Sequence, residues 1–539
     1  MTDIGGLAEF GRVPTGPAPE PQGDPVPLPP PGAAAPPPTV TAYPPPPGYG
    51  MPGAPQPPRP DDSGVPIWAL VAMFVLVLAL GAATVYFVLP RGGSDARTYP
   101  SSWDPRIAPY VKIAEKQRGL KFQHPVQVYF LPAKEFEKTV TTDDAELTDE
   151  DRAEVERMTG EMRALGLLTG DVDLTAAMND AQSGGVLAYY SLEDETITVR
   201  GTKVRPEVRS TLVHELTHVL QDQNFSLGAK YARLQEDEAA SDSTALSVLR
   251  AIAEGDAERI EAKYRDSLSA KQRKALDRGQ DQQGKTADKR LDDVPTVLVT
   301  MMSSPYLLGS ALVGAAAAEG GNDAVDALLR DPPQHDIALL QPFAALKGAR
   351  GVADVETPPT AKDDTVHDTG ELGALTWYLM LSERMPATRA LSVVDGWHGD
   401  SYVSYADADG TSCVKAAYAG RTAGDSRAML RALRDWVGAA PGSPAKVRHE
   451  GDLVVLRSCD PGSDAKVGSD SSGKALELAV TRSALGVGLV RSGARPAVAA
   501  CVADRLVRIY PTTALLDPTF GADDPAVQAR VRTVAEGCR

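Results

Sequence analysis

Cysteine is scarce: the 539-residue chain has four, at positions 413, 459, 501 and 538. No two have CxxC spacing, which excludes a zinc ribbon or a thioredoxin-type redox pair. An even number confined to the last quarter predicts two disulfides in an oxidising compartment, with buried free thiols as the alternative. Four cysteines allow three connectivities, and pairing of sequence neighbours gives Cys413–Cys459 and Cys501–Cys538. Aromatic residues are also few, at 6%. Basic residues are outnumbered, 55 Lys and Arg against 72 Asp and Glu, for a formal net charge of −17. Nucleic acid is excluded as a partner, because binding it needs a basic face that displaces counterions from phosphate.

Proline is unevenly spread, with 22 of the 44 falling in the first 66 residues. Residues 1–64 hold too little apolar surface to offset their ordering entropy and are expected to be a disordered tail with polyproline stretches. Such a tail is a solvated spacer, or a docking segment for a cytoplasmic proline-binding partner. Ile67 to Leu89 then runs 23 residues without a charge. As a helix it spans roughly 35 Å, enough to cross a bilayer core. It starts too far into the chain, and is too long, for a secretory signal peptide, and Pro90 follows it without a cleavage site. A single transmembrane helix over 65–90 is therefore expected. Arg91 and Arg97 after the span, against Arg59 before it, favour a cytoplasmic C-terminal domain. The cysteines and the character of the tail outweigh this, giving a single-pass protein of the cell membrane with the domain after the span extracellular.

Beyond a linker over 91–105 the patterning is α+β. Val126 to Leu131 reads as a strand, followed by an amphipathic helix to Leu168 with Thr148 as its N-cap. Gly184–Leu192 and Thr196–Arg200 read as two strands around an acidic turn. Arg209 to Asp222 and Glu236 to Lys263 read as helices, and 264–294 as a surface helix and loop. Thr296 to Ala318 is the second uncharged run. Pro305 and its Ala- and Gly-rich composition predict a buried helix pair and not a second span. Residues 401–485 read as short strands and 494–538 as helical.

His214 and His218 stand four apart, so on a helix both imidazoles leave one face. That spacing supplies two of the nitrogens a tetrahedral zinc ion requires. Glu215 is rotated aside, where its carboxylate can act as general base on a metal-activated water without ligating the ion. Leu212, Val213, Leu216, Val219 and Leu220 give this helix a buried face. A third ligand should come from the next helix, where Glu254, Asp242 and Asp256 compete. Glu254 lies at the edge of the apolar stripe, beside Ser243 and Ser247, and Gly255 permits close helix approach. The strand Val186–Leu192 is a candidate edge for an extended substrate to join.

His214-Glu-Leu-Thr-His218 followed by Glu254-Gly-Asp-Ala257 resembles the gluzincin zinc peptidases. The likeness is closer to a microbial set of HExxH proteins with HELTHxLQDQ helices. It continues through Tyr306-Leu-Leu-Gly309, Leu329-Arg-Asp-Pro-Pro333 and Gly396-Trp-His-Gly-Asp-Ser-Tyr402, covering roughly residues 100–420. The chain departs from that set at Gln334–Ile337, where the relatives tend to have Ser-Thr-Glu-Gln. It departs again at His398 and Ser401, where they have Gly and Arg. The resemblance implies Zn²⁺ held by His214, His218 and Glu254, with Glu215 as catalytic base. It also implies His398, Tyr402 or Tyr405 as oxyanion stabilisers. A zincin-like fold is implied over 106–400, with a small sheet above the HExxH helix and a helical lobe below, and a disulfide-bearing region over 401–539. The expected activity is that of a membrane-anchored zinc peptidase acting on a peptide or protein. The rival readings are an inactive binding protein on the same scaffold, or a peptidase within the membrane or facing the cytoplasm should Thr296–Ala318 span it.

Overall fold

A computed structural model of the chain describes residues 98–142, 147–236, 243–348, 351–440, 442–517, 520–521 and 524–539. The proline-rich tail, the expected anchor and Asp242 lie outside the described residues. The architecture is mixed, with many helices and two separate sheets.

The first lobe opens with α1 (Ala108–Arg118) and β1 (Gln127–Leu131). Helix α2 (Asp149–Ala164) starts at Thr148, whose hydroxyl and backbone exchange hydrogen bonds with Asp151 in a capping box. Helix α3 (Leu174–Gly185) is capped by Asp173. It takes the Gly184–Gly185 stretch expected to be strand, because Leu174, Met178 and Ala181 form a buried stripe that carries the helix onward. Strand β2 is therefore only Ala188–Ser191, followed by β3 (Thr196–Arg200). These strands form a sheet of order β1-β3-β2, with β1 parallel to β3 and β2 antiparallel on the edge. Against it packs α4 (Pro206–Phe225), which carries the HExxH motif. Pro206 pre-sets its first turn and Ser226 ends it in a left-handed conformation, φ 54°. Leu212, Leu216, Val219 and Leu220 face the sheet core, and Val213 packs on Ile260 and Tyr264 of the following helix. The motif helix is thus buried on both sides.

The next helix, α5, runs Ala245–Ser267, later than the expected start at Glu236, which instead ends a shorter helix, Leu227–Glu236. Surface helix α6 (Ala270–Leu291) follows, then α7 (Thr296–Arg330). Pro305 does not divide α7: the break falls at Gly320 and Gly321, where Gly321 has φ 63°, ψ −145°, a region open to glycine. Among the described residues α7 is the one helix long and apolar enough to cross a membrane, yet 72% of its apolar window is buried inside the protein. It packs against α5 so closely that side chains are excluded at the crossing. A Cβ on Gly309 would lie 1.8 Å from the Ala251 carbonyl oxygen, and one on Gly255 would lie 2.3 Å from the Gly309 carbonyl carbon. Both contacts are backbone, so neither can swing away. Gly309→Ala is expected to destabilise the fold by about 3 kcal/mol or more, at or above the top of the usual overpacking range. Gly284→Ala in α6, with no atom within 4 Å of its Cβ, should stabilise by about 0.5–1 kcal/mol through helix propensity alone. Urea titration of both variants checks this, and equal midpoints would contradict the crossing.

The remaining elements are β4 (Thr365–Gly370), α8 (Gly373–Ser382), β5 (Trp397–Ala406), β6 (Ser412–Gly420), α9 (Ala423–Gly438), β7 (Lys446–Glu450), β8 (Leu453–Cys459), α10 (Ser472–Arg491), α11 (Pro496–Ile509) and α12 (Pro525–Glu536). The expectation of strands throughout 401–485 missed α9 and α10. Thr422 caps α9, whose buried Met429, Leu433 and Trp436 recur at helical spacing. Five antiparallel strands form a sheet of order β4-β5-β6-β8-β7. Cys413 and Cys459 sit opposite each other on β6 and β8 and are bonded; Cys501 and Cys538 clip α11 to the end of α12. The boundary expected at residue 400 falls inside β5. One hydrophobic core includes residues from Leu165 to Val534, and α10 packs directly on α7.

Candidate metal centre

Helix α4 presents His214 and His218 toward α5, and the two rings meet edge to face with centroids 4.8 Å apart. Glu254 of α5 lies between them. Its Oε2 is 3.2 Å from His214 Nε2 and 3.3 Å from His218 Nε2. The two nitrogens and the carboxylate oxygen all lie within 4.8 Å of one another. The Gly255–Gly309 crossing, with α4 packed against α5, holds this side of the helix at the motif.

Each histidine is held at its other nitrogen. His214 Nδ1 lies 3.3 Å from Glu261, seven residues beyond Glu254 on the same face of α5. His218 Nδ1 lies 3.0 Å from the Gln221 amide oxygen. Gln221 Nε2 in turn donates to the Ala253 carbonyl at 2.9 Å and to Asp256 at 3.1 Å. Asp256 is fully buried and also accepts from Arg118 at 2.6 Å and Arg259 at 2.7 Å. An acceptor at each Nδ1 places the ring proton there and leaves each Nε2 lone pair for the centre, the tautomer a metal-bound histidine needs. Asp256 is thus not a third ligand but the support behind Gln221, as its buried cationic partners require.

Glu215 is not one of the three converging groups. Its Oε2 accepts the Tyr190 N–H of edge strand β2 at 2.9 Å, and the Tyr190 hydroxyl donates to Asp222 at 2.8 Å. Tyr306, from α7, lies 6.4 Å from the His214 ring, nearly parallel to it, and burial and the Glu254 charge hold its hydroxyl pKa well above the ordinary value. His398 and Tyr402 are not brought to the cluster. They lie on β5 of the second sheet, where the Tyr402 hydroxyl donates to Asp368. Tyr405, on the same strand, accepts from Arg457. The tyrosine beside the cluster is Tyr306, not one of those on β5. The signal was Tyr306-Leu-Leu-Gly309, whose glycine is the α5 contact and whose tyrosine lies one turn before it.

The electrostatics follow from burial among carboxylates. Burial alone pushes the Glu215 carboxyl up, and the two nearby histidines only partly offset this, leaving it at about 7. Burial acts on Glu254 in the same direction, but His218 and His214 win and hold it well below the usual carboxylate range. Burial opposes protonation of His214, yet hydrogen bonds to Glu254 and Glu261 outweigh it and hold its pKa well above the ordinary value. His218 is raised by the same balance, with Glu254 the main counter-charge. Burial and the Glu261 charge push Glu258 up. A cation binding at the Nε2 atoms must displace protons. Because both histidines are raised, zinc affinity should fall as pH drops through those raised values, beginning above the ordinary histidine pKa of about 6.5. Calorimetric zinc titration in buffers of different ionisation enthalpy measures the protons released. Absence of proton release between pH 6 and pH 7 would contradict this geometry.

The residues present fit a zinc ion: two neutral imidazole nitrogens, one carboxylate, and satisfied outer partners. Comparison with protein-family models, curated proteins and solved structures finds no match to this chain.

Proposed function

We propose that the chain is a zinc-dependent peptidase of gluzincin type, anchored in the cell membrane by Ile67–Leu89 with its catalytic domain on the outer side. The observation that carries the reading is the convergence of His214 Nε2, His218 Nε2 and a Glu254 oxygen on one point. The antiparallel edge strand β2 beside the motif helix supports a zincin-like arrangement, and two disulfides support an oxidising compartment. His214, His218 and Glu254 would hold the metal, which when bound lowers the pKa of a water and polarises the scissile carbonyl. Glu215 takes the proton from that water and returns it to the leaving amine. Strand β2, at the edge of its sheet, is the strand to which an extended peptide adds, keeping the scissile bond next to Glu215. Tyr306 is the residue placed to donate to charge developing on the carbonyl oxygen. Glu261 and the Gln221–Asp256 pair keep both imidazoles aimed.

The full-length protein, purified in detergent, should contain one zinc per chain and cleave peptides. A chelator should remove both metal and activity, and added zinc should restore both. Stoichiometric zinc without hydrolysis of any peptide mixture would instead favour an inactive binding protein on this scaffold.

A further inference from the structure

The face of α5 that carries Glu254 also carries a cation that the metal centre does not use. Arg250 precedes Glu254 by one turn and is 9% exposed. Its Nε lies 4.0 Å from Glu254 Oε1, beyond hydrogen-bond reach. Among the described residues its guanidinium makes no hydrogen bond, although it offers five donors in a planar fork. None of its nitrogens is among the sealed, partnerless polar atoms of the interior, whereas nitrogens of Arg118 and Arg384 are. The Arg250 fork therefore opens onto solvent-accessible space beside Glu254. Tyr231 and Tyr306, from two other helices, both feel its charge. Once Glu254 gives its charge to a divalent cation, Arg250 is left without a counter-charge among the described residues.

We propose that Arg250 binds a carboxylate of the substrate, so that the site selects peptides presenting one within about two residues of the scissile bond. The proposal rests on the peptidase reading above. A guanidinium matches a carboxylate with two parallel N–H···O bonds, a geometry lysine cannot copy. An extended peptide advances about 3.4 Å per residue, which sets the reach from the Glu254 cluster to the fork. The carboxylate comes from a free C-terminus or from an Asp or Glu side chain.

The test uses the zinc-loaded full-length protein and two hydroxamates as metal-directed probes: glutaric acid monohydroxamate and its carboxamide counterpart. Calorimetry should show the carboxylate probe binding at least about tenfold tighter, the scale of one charge-assisted contact. Arg250→Gln should keep its zinc and bind both probes alike, and Arg250→Lys should recover part of the preference. Equal binding by wild type overturns the proposal while leaving the metal centre standing, as does loss of zinc from Arg250→Gln, which makes the residue a support of the centre. Failure of the wild type to take up zinc or either probe overturns the peptidase reading and this proposal together. Cleavage of a synthetic octapeptide library with free or amidated C-termini identifies the source. Cuts confined to the last two bonds and abolished by amidation indicate the C-terminus; Asp or Glu enrichment that survives amidation indicates a side chain. Cuts without a carboxylate nearby overturn the assignment.

Discussion

Glu254→Ala is expected to release zinc and, with it, all hydrolysis. Removing the carboxylate leaves two imidazoles, and a catalytic zinc site takes three protein ligands. Loss of an outer partner typically costs 10–100-fold in metal affinity. Loss of the ligand at the meeting point of both Nε2 atoms should exceed about 100-fold. Competition against a chromogenic chelator measures it. The neighbouring substitution Asp256→Asn should behave differently. It leaves Arg118, with no exposed side-chain surface, short of one of its two counter-charges, the other being Asp326. Breaking such a buried pair costs about 3–5 kcal/mol of fold stability. Asp256→Asn should therefore lower the unfolding midpoint sharply, with zinc loss only secondary. Should Glu254→Ala bind zinc like the wild type, the centre as drawn is wrong.

Glu215→Gln is expected to separate chemistry from metal binding. The amide oxygen can still accept the Tyr190 N–H, so the local structure should persist. An amide cannot take a proton, and general-base catalysis typically contributes 10²–10⁴-fold. Peptide hydrolysis should fall by about three orders of magnitude or more, while mass spectrometry of the native protein still finds one zinc. A variant that loses its metal along with activity would show Glu215 to be a ligand or a structural brace instead.

Several features of the site were legible because they depend on neighbours along one helix. The four-residue spacing of His214 and His218, the offset of Glu215 and the apolar face of α4 all follow from 3.6 residues per turn. Thr148 as a cap is equally local. Glu254 was one of three acidic candidates until Asp256 was found committed to Arg118 and Arg259.

By itself, then, the sequence determined the motif helix, the candidate ligands on it and the excess of acidic charge. Periodicity and composition carry such features because each is settled within a few turns of chain. The tertiary structure alone decided which residues surround the centre. Tyr306 reaches Glu254 because Gly255 and Gly309 let two helix backbones touch, a contact between positions 54 apart in the chain. Glu261, Gln221 and Arg250 gained their places from the angle at which α4 and α5 cross. His398 and Tyr402 were carried to another sheet by the pairing of β5 with β4 and β6. Such placements depend on how apolar faces and bare glycine backbones pack across long loops, and no local pattern records them.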